Sequence, residues 1–140
     1  SDIGTFTHVY TDLTFDSGYI WLNANVNVGA NHTVQVNNAT IKLSNAITIT
    51  GNYTQTGGGL VSAITSDSQY GTLNVSGQAN ISNTTLVLQG SNLKIGDTYT
   101  IVSVGDQGGD TSITSISVTG TNGLTKARPR RRPFKAMFWP

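Results

Sequence analysis

Pairs of aliphatic residues separated by one polar residue recur about every six to eight positions in this chain, and no proline falls within residues 1–125. Ile20, Leu22, Ala24, Val26 and Val28 alternate with Trp21, Asn23, Asn25 and Asn27. Such alternation is the period-two signal of a strand with one dry and one wet face. Val34 and Val36 repeat it. The parity then switches, so that Ala39, Ile41 and Leu43 face inward while Thr40 and Lys42 face out. Asn37-Asn38 occupies the switch, and Asn tolerates the left-handed backbone that a sharp corner needs. Ile47 and Ile49 follow, and Gly51 ends the run. Further pairs are Leu73/Val75, Ala79/Ile81, Leu86/Leu88, Tyr99/Ile101 and Ile116/Val118.

This spacing is too tight for long hairpins. It fits a chain that turns a corner after each short strand, with three sides making a coil of roughly twenty residues. Stacked coils pair their strands in parallel. Inward Val, Ile and Leu form a continuous column, and outward Thr, Ser and Asn stay in water. An interior ladder needs every N–H, which accounts for the missing proline. The expected fold is all-β, a three-sided solenoid or parallel β-helix. The alternative is an antiparallel β-sandwich or jelly roll, which also uses short strands, at about eight-to-twelve-residue spacing.

Composition narrows the function classes. A length of 140 residues suits one domain or one slice of a repeat array. Charged residues, at 11%, are too few for a disordered polyelectrolyte or a coiled coil. All seven acids are aspartate, and helix formers are scarce beside Thr, Ile, Val, Ser and Asn. The absence of cysteine removes disulfides, thiolate nucleophiles and Cys-based metal sites. No apolar run approaches the ~18–20 residues of a spanning helix. The start carries no signal-peptide pattern, so if the protein is exported its signal is expected outside the chain shown. Residues 1–125 hold only Lys42 and Lys94 against all the aspartates, whereas KARPRRRPFKAMFWP is purely basic and holds every proline.

Three ordered segments carry a family resemblance: GNYTQ at 51–55, YGTLNVSGQANI at 70–81 and TLVLQGSNLKIGDTYTIVSV at 85–104. They resemble the C-terminal part, often called the autochaperone or stable core, of Gram-negative autotransporter passengers. The resemblance is close over about fifty-five residues; residues 1–50 match only as generic coils. It implies a right-handed parallel β-helix, here only part of a longer one, at the cell surface, on the outer membrane or secreted. It also implies a non-catalytic folding and export module whose partners are its own outer-membrane β-barrel translocator and the upstream passenger coils. Host surface molecules are a further implied class of partner, and no nucleic acid is expected to bind the body.

The chain then divides into coils at 1–50, an autochaperone-like segment at 51–125 and a basic, aromatic tail at 126–140. The resemblance leads one to expect a helical linker and an amphipathic barrel after the segment, and neither follows. The tail is expected to be a frame-shifted or appended end, or unstructured. The alternatives are a segment in which Arg128, Arg130, Arg131 and Arg132 neutralise phosphates while Phe134, Phe138 and Trp139 enter an interface, and a tail that packs its aromatics on the end of the helix.

A solenoid coil is unstable alone, and starting a stack loses entropy before contacts accumulate. Large side chains concentrate downstream. The expected folding nucleus is Tyr53, Tyr70, Leu73, Val75, Leu86, Leu88, Tyr99 and Ile101, each buried aliphatic contributing roughly 1.5–3 kcal/mol. The N-terminal coils read as thinner, with Ala24, Ala39 and Asn-rich corners.

No catalytic, cofactor or metal residues are expected. His8, Asp12 and Asp16 share one strand face, but positions four apart lie about 13 Å apart at ~3.3 Å per residue, too far for one ion. GDQGGD at 105–110 is one copy of a Gly/Asp pattern whose calcium sites need tandem repeats. His8 and His32 lack any nucleophile-elbow context. Asp67, Asp97, Asp106 and Asp110 are the candidates for a carboxylate pair of a polysaccharide-cleaving β-helix, yet all sit in turn-like sequence. The N-x-[ST] triplets at Asn31, Asn38, Asn52, Asn74, Asn80 and Asn83 are expected by chance in an Asn/Thr-rich chain. The alternative to a folding module is an adhesive surface, in which the row Trp21, Asn23, Asn25 and Asn27 meets a glycan or host protein.

Overall fold

The computed structural model describes residues 2–3, 11–90, 98–104, 111–114, 117–120, 125–128 and 134–138. They form strands and turns, with no helix among them. In chain order the strands are β1 (Asp2–Ile3), β2 (Leu13–Asp16), β3 (Tyr19–Leu22), β4 (Val26–Asn27), β5 (Thr33–Asn37) and β6 (Thr40–Leu43). Next come β7 (Ala46–Thr50), β8 (Asn52–Thr56), β9 (Gly59–Ser66), β10 (Gln69–Tyr70), β11 (Thr72–Val75) and β12 (Ala79–Ser82). The last are β13 (Thr85–Gln89), β14 (Thr98–Val104), β15 (Thr111–Thr114), β16 (Ser117–Gly120), β17 (Thr125–Arg128) and β18 (Phe134–Phe138).

Apart from the hairpins β9–β10 and β17–β18, successive strands go to different sheets. Sheet A runs β1-β3-β6-β9-β13-β16, sheet B runs β4-β7-β11-β14, and sheet C runs β2-β5-β8-β12-β15, all in parallel. Each circuit through C, A and B therefore makes one coil of a β-solenoid. The sandwich alternative falls, because its sheets would be antiparallel.

Parallel register turns the alternation into columns. Ile20, Ile41, Leu60 and Leu86 stack along sheet A. Val34, Tyr53 and Ala79 stack along sheet C, as do Val36, Gln55 and Ile81. Val26, Ile49 and Val75 stack along sheet B. All of these side chains are buried. The alternation of β5 and β6, and the parity switch between them, follow the sequence pattern residue for residue.

The corners explain the switch. From sheet C to sheet A the chain turns through residues with positive φ at each described corner: Ser17 and Gly18, then Asn38, then Gly57 and Gly58, then Asn83. Their backbone groups continue the ladder. Ser17 N donates to Asn37 O at 2.9 Å, Asn38 N to Thr56 O at 2.9 Å, and Gly57 N to Ser82 O at 2.8 Å. Gly58 must be glycine for a second reason: a Cβ there would overlap the Ala39 backbone.

The structure departs from the sequence reading at several points. Ala24 is half-buried in a corner rather than in the inner column, since β3 ends at Leu22. The third coil carries an antiparallel hairpin, β9–β10, with Asp67 and Ser68 at its tip. Gly71 brings the chain back so close to Leu43 that any Cβ would strike its carbonyl. Val102 stacks on Leu73 in the parallel ladder of sheet B, and Tyr99 and Ile101, of the opposite parity, are buried with it. The Thr72 hydroxyl lies 2.8 Å from Thr100 O and 3.0 Å from Ile101 O and serves as their donor. Finally, β17 and β18 form an antiparallel hairpin, and β18 pairs antiparallel with β14. Residues 125–128 and 134–138 thus extend sheet B, where an unstructured tail was expected.

Candidate functional site

The chemistry-bearing side chains of the described residues gather in the interior of the downstream coils. Tyr53 and Gln55 both point inward from β8, because they share the parity of Val34 and Val36 beneath them. The Tyr53 hydroxyl donates to Gln55 Oε1 at 2.5 Å. Gln55 Nε2 donates within a cluster of corner carbonyls: Gly59 O at 2.9 Å, with Ala39 O and Gly57 O each at 3.2 Å. Both residues are fully buried. Desolvation pushes the Tyr53 phenol well above its ordinary value of 10.0, so it stays a neutral donor. Leaving either partner unpaired in this dry column would cost about 1–3 kcal/mol.

A second cluster lies where the hairpin meets β14. The Tyr70 and Tyr99 rings pack edge to face, with centroids 5.2 Å apart and planes at 83°. The Tyr70 hydroxyl accepts from Thr100 N at 3.0 Å, and the Tyr99 hydroxyl donates to Asp67 Oδ1 at 3.3 Å. At the hairpin base, Ser62 Oγ donates to Gly71 O at 2.6 Å. The residues expected as a nucleus are accordingly all in or against the core. Tyr53, Leu73, Val75, Leu86, Leu88, Tyr99 and Ile101 are buried, and Tyr70 is half-buried against the column.

Gln55, Ser62, Thr84 and Val102 also belong to this interior and were missed in the sequence. Gln55 was legible, since it stands two residues from Tyr53 and must share its side. Ser62 follows Leu60 by the same rule. Val102 has the opposite parity to Tyr99 and Ile101, the pair expected inward, and enters as the ladder partner of Leu73.

Outside the column, the candidate residues make local contacts with backbone and side chains. Asp12 Oδ1 accepts from Thr33 N at 2.9 Å and lies 3.4 Å from His32 Nδ1. Asp16 Oδ1 accepts from Asn37 Nδ2 at 2.7 Å. Asp67 is exposed at the hairpin tip. His8, Asp97, Asp106, Asp110 and the 105–110 loop lie outside the described residues. Among the described residues, no group of three His, Asp or Glu side chains could hold a metal ion.

The row read as adhesive is partly committed to internal contacts. Asn25 Oδ1 accepts from Thr48 N at 2.8 Å, and Asn27 Oδ1 from Gly29 N at 3.0 Å. Trp21 Nε1 donates to Ser44 Oγ at 3.0 Å, and Lys42 Nζ sits 4.7 Å from the ring centroid. Comparison with family models, curated proteins and solved structures gives no match to this chain.

Proposed function

We propose that this chain is a non-catalytic folding and export module of an autotransporter passenger, whose downstream coils nucleate a β-helix at the cell surface. One observation carries the reading. The downstream interior combines aliphatic stacking with two tyrosine clusters that tie neighbouring coils together, Tyr53–Gln55 reaching the corner at Ala39 and Tyr70–Tyr99 joining the hairpin to β14. Contacts between coils are what a one-dimensional stack needs to get started. The resemblance of residues 51–104 to autochaperone segments gives the context. In that setting a folded seed emerging first outside the membrane templates the upstream coils and blocks back-sliding, which biases export without a nucleotide.

The test is surface display of the chain ahead of a β-barrel translocator, read by protease accessibility on whole cells. Leu73→Ala with Ile101→Ala should lower folded surface protein several-fold. Thr48→Ala with Asn80→Ala, both on exposed outward positions, should leave it unchanged. Equal display of the core and surface variants would overturn the proposal.

A further inference from the structure

The passage from sheet B back to sheet C is made differently in three consecutive coils. Between β4 and β5 the chain takes a full loop over residues 28–32. Between β7 and β8 it turns on Gly51 alone. Between β11 and β12 it uses Ser76, Gly77 and Gln78. The middle corner is therefore recessed between two fuller ones. The recess is built in: Gly51 has φ +131, and a Cβ on it would come within 2.6 Å of Val28 Cγ2 and 2.8 Å of Gly29 O. Gly77 is constrained in the same way by the Asn52 side chain.

The result is a cleft of about 530 Å³ lined by Ala30, Asn31, Asn52, Ser76, Gly77 and Gln78. That volume falls in the ordinary range for small-ligand sites. Its polar groups are held but not saturated. Asn52 Oδ1 accepts from Gln78 N at 2.9 Å, which fixes the amide and leaves Asn52 Nδ2 without a partner among the described residues. Ser76 Oγ accepts from Gly51 N at 2.9 Å, which leaves its own proton to donate. The side-chain amides of Asn31 and Gln78 also have no protein partner among the described residues. The lining holds several uncommitted donors and acceptors, one methyl patch at Ala30 and no charged group.

Amides that both donate and accept match hydroxyls that do the same. An anion would find no counter-charge here, on a body whose aspartates outnumber its lysines. A metal cation would find no carboxylate in the lining. We infer that this corner cleft binds a neutral saccharide, one or two rings in size. The inference is independent of the folding-module reading, since the cleft shares no residue with the aromatic clusters, and either can fail without the other.

The experiment is a titration of the ¹⁵N-labelled full chain with maltose, lactose and N,N′-diacetylchitobiose, following the side-chain amide resonances of Asn31, Asn52 and Gln78. Glucuronate serves as the charged comparison. At least one neutral sugar should shift these resonances saturably, and glucuronate should bind more weakly. Asn31→Ala with Gln78→Ala, both exposed positions, should weaken binding about tenfold or more while the backbone spectrum stays that of the folded chain. The inference is overturned if none of the three sugars moves those resonances, if the double variant binds unchanged, or if glucuronate binds as well as the neutral sugars.

Discussion

The coils built from β2 to β7 and those built from β8 to β14 share one plan but differ inside. The fully buried side chains of the upstream column are all aliphatic: Ile20, Leu22, Val26, Val28, Val34, Val36, Ile41, Leu43, Ile47 and Ile49, beside the small Ala39. It is no drier or thicker downstream. What the downstream coils add is Tyr53, Tyr99, Gln55 and Ser62, fully buried and joined by directed hydrogen bonds. Apolar packing is non-directional and would tolerate a slipped coil. A glutamine amide surrounded by three particular carbonyls would not. The downstream half is thus distinguished by specificity of stacking, and the expectation of thinner upstream coils gives way to one of less strictly keyed coils.

Folding kinetics offer the hardest test of that contrast. Leu73→Ala with Ile101→Ala and the upstream pair Ile41→Ala with Ile49→Ala should each lower equilibrium stability by about 2–5 kcal/mol per site. Stopped-flow measurements should separate them. The downstream pair should mainly slow folding, and the upstream pair should mainly speed unfolding. The same partition for both pairs would erase the distinction. Next in size is Gln55→Leu, which strips the Tyr53 hydroxyl of its acceptor and the corner carbonyls of one donor. It should cost about 1–3 kcal/mol in denaturant melts even though it adds apolar volume. No upstream inward position gives a counterpart, because none is polar.

Alkaline pH should sharpen the contrast further. The folded Tyr53 phenol ionises above its ordinary value, so its stabilising term is complete below about pH 10. The unfolded state ionises first as pH rises past that point, and stability should fall. Tyr53→Phe should flatten that part of the stability profile; a profile with an unchanged slope would assign the effect to other groups. The smallest effect is expected from Thr48→Ala with Asn80→Ala, within about 0.5 kcal/mol by thermal melts.

Much of this fold could be read from spacing. Val34, Val36, Ala39, Ile41 and Leu43 follow alternation and a parity switch, and Asn38 takes the left-handed corner that its residue type suggests. The β9–β10 hairpin could not be read so directly. Residues 64–70 carry turn-forming Asp67 and Ser68, but only tertiary contact with the Leu43 backbone shows why Gly71 must follow. Likewise, alternation offers β14 one inward parity, yet Tyr99 and Ile101 are buried as well as Val102, the ladder partner of Leu73. The corner cleft was invisible for a related reason: Asn31, Asn52 and Gln78 are far apart in the chain, and only unequal corner lengths in successive coils bring them round one recess.

The ladder geometry also has a mechanical meaning. Its hydrogen bonds run from coil to coil, along the long axis of the stack, while the covalent chain runs around it. A pull along that axis loads the bonds between neighbouring coils in series, so the stack should peel from an end. Adjacent strands are about 4.8 Å apart, whereas twenty released residues can extend to roughly 66–72 Å. Each detached turn would therefore let out many times its folded height in slack, absorbing a tug while the remaining turns stay wound.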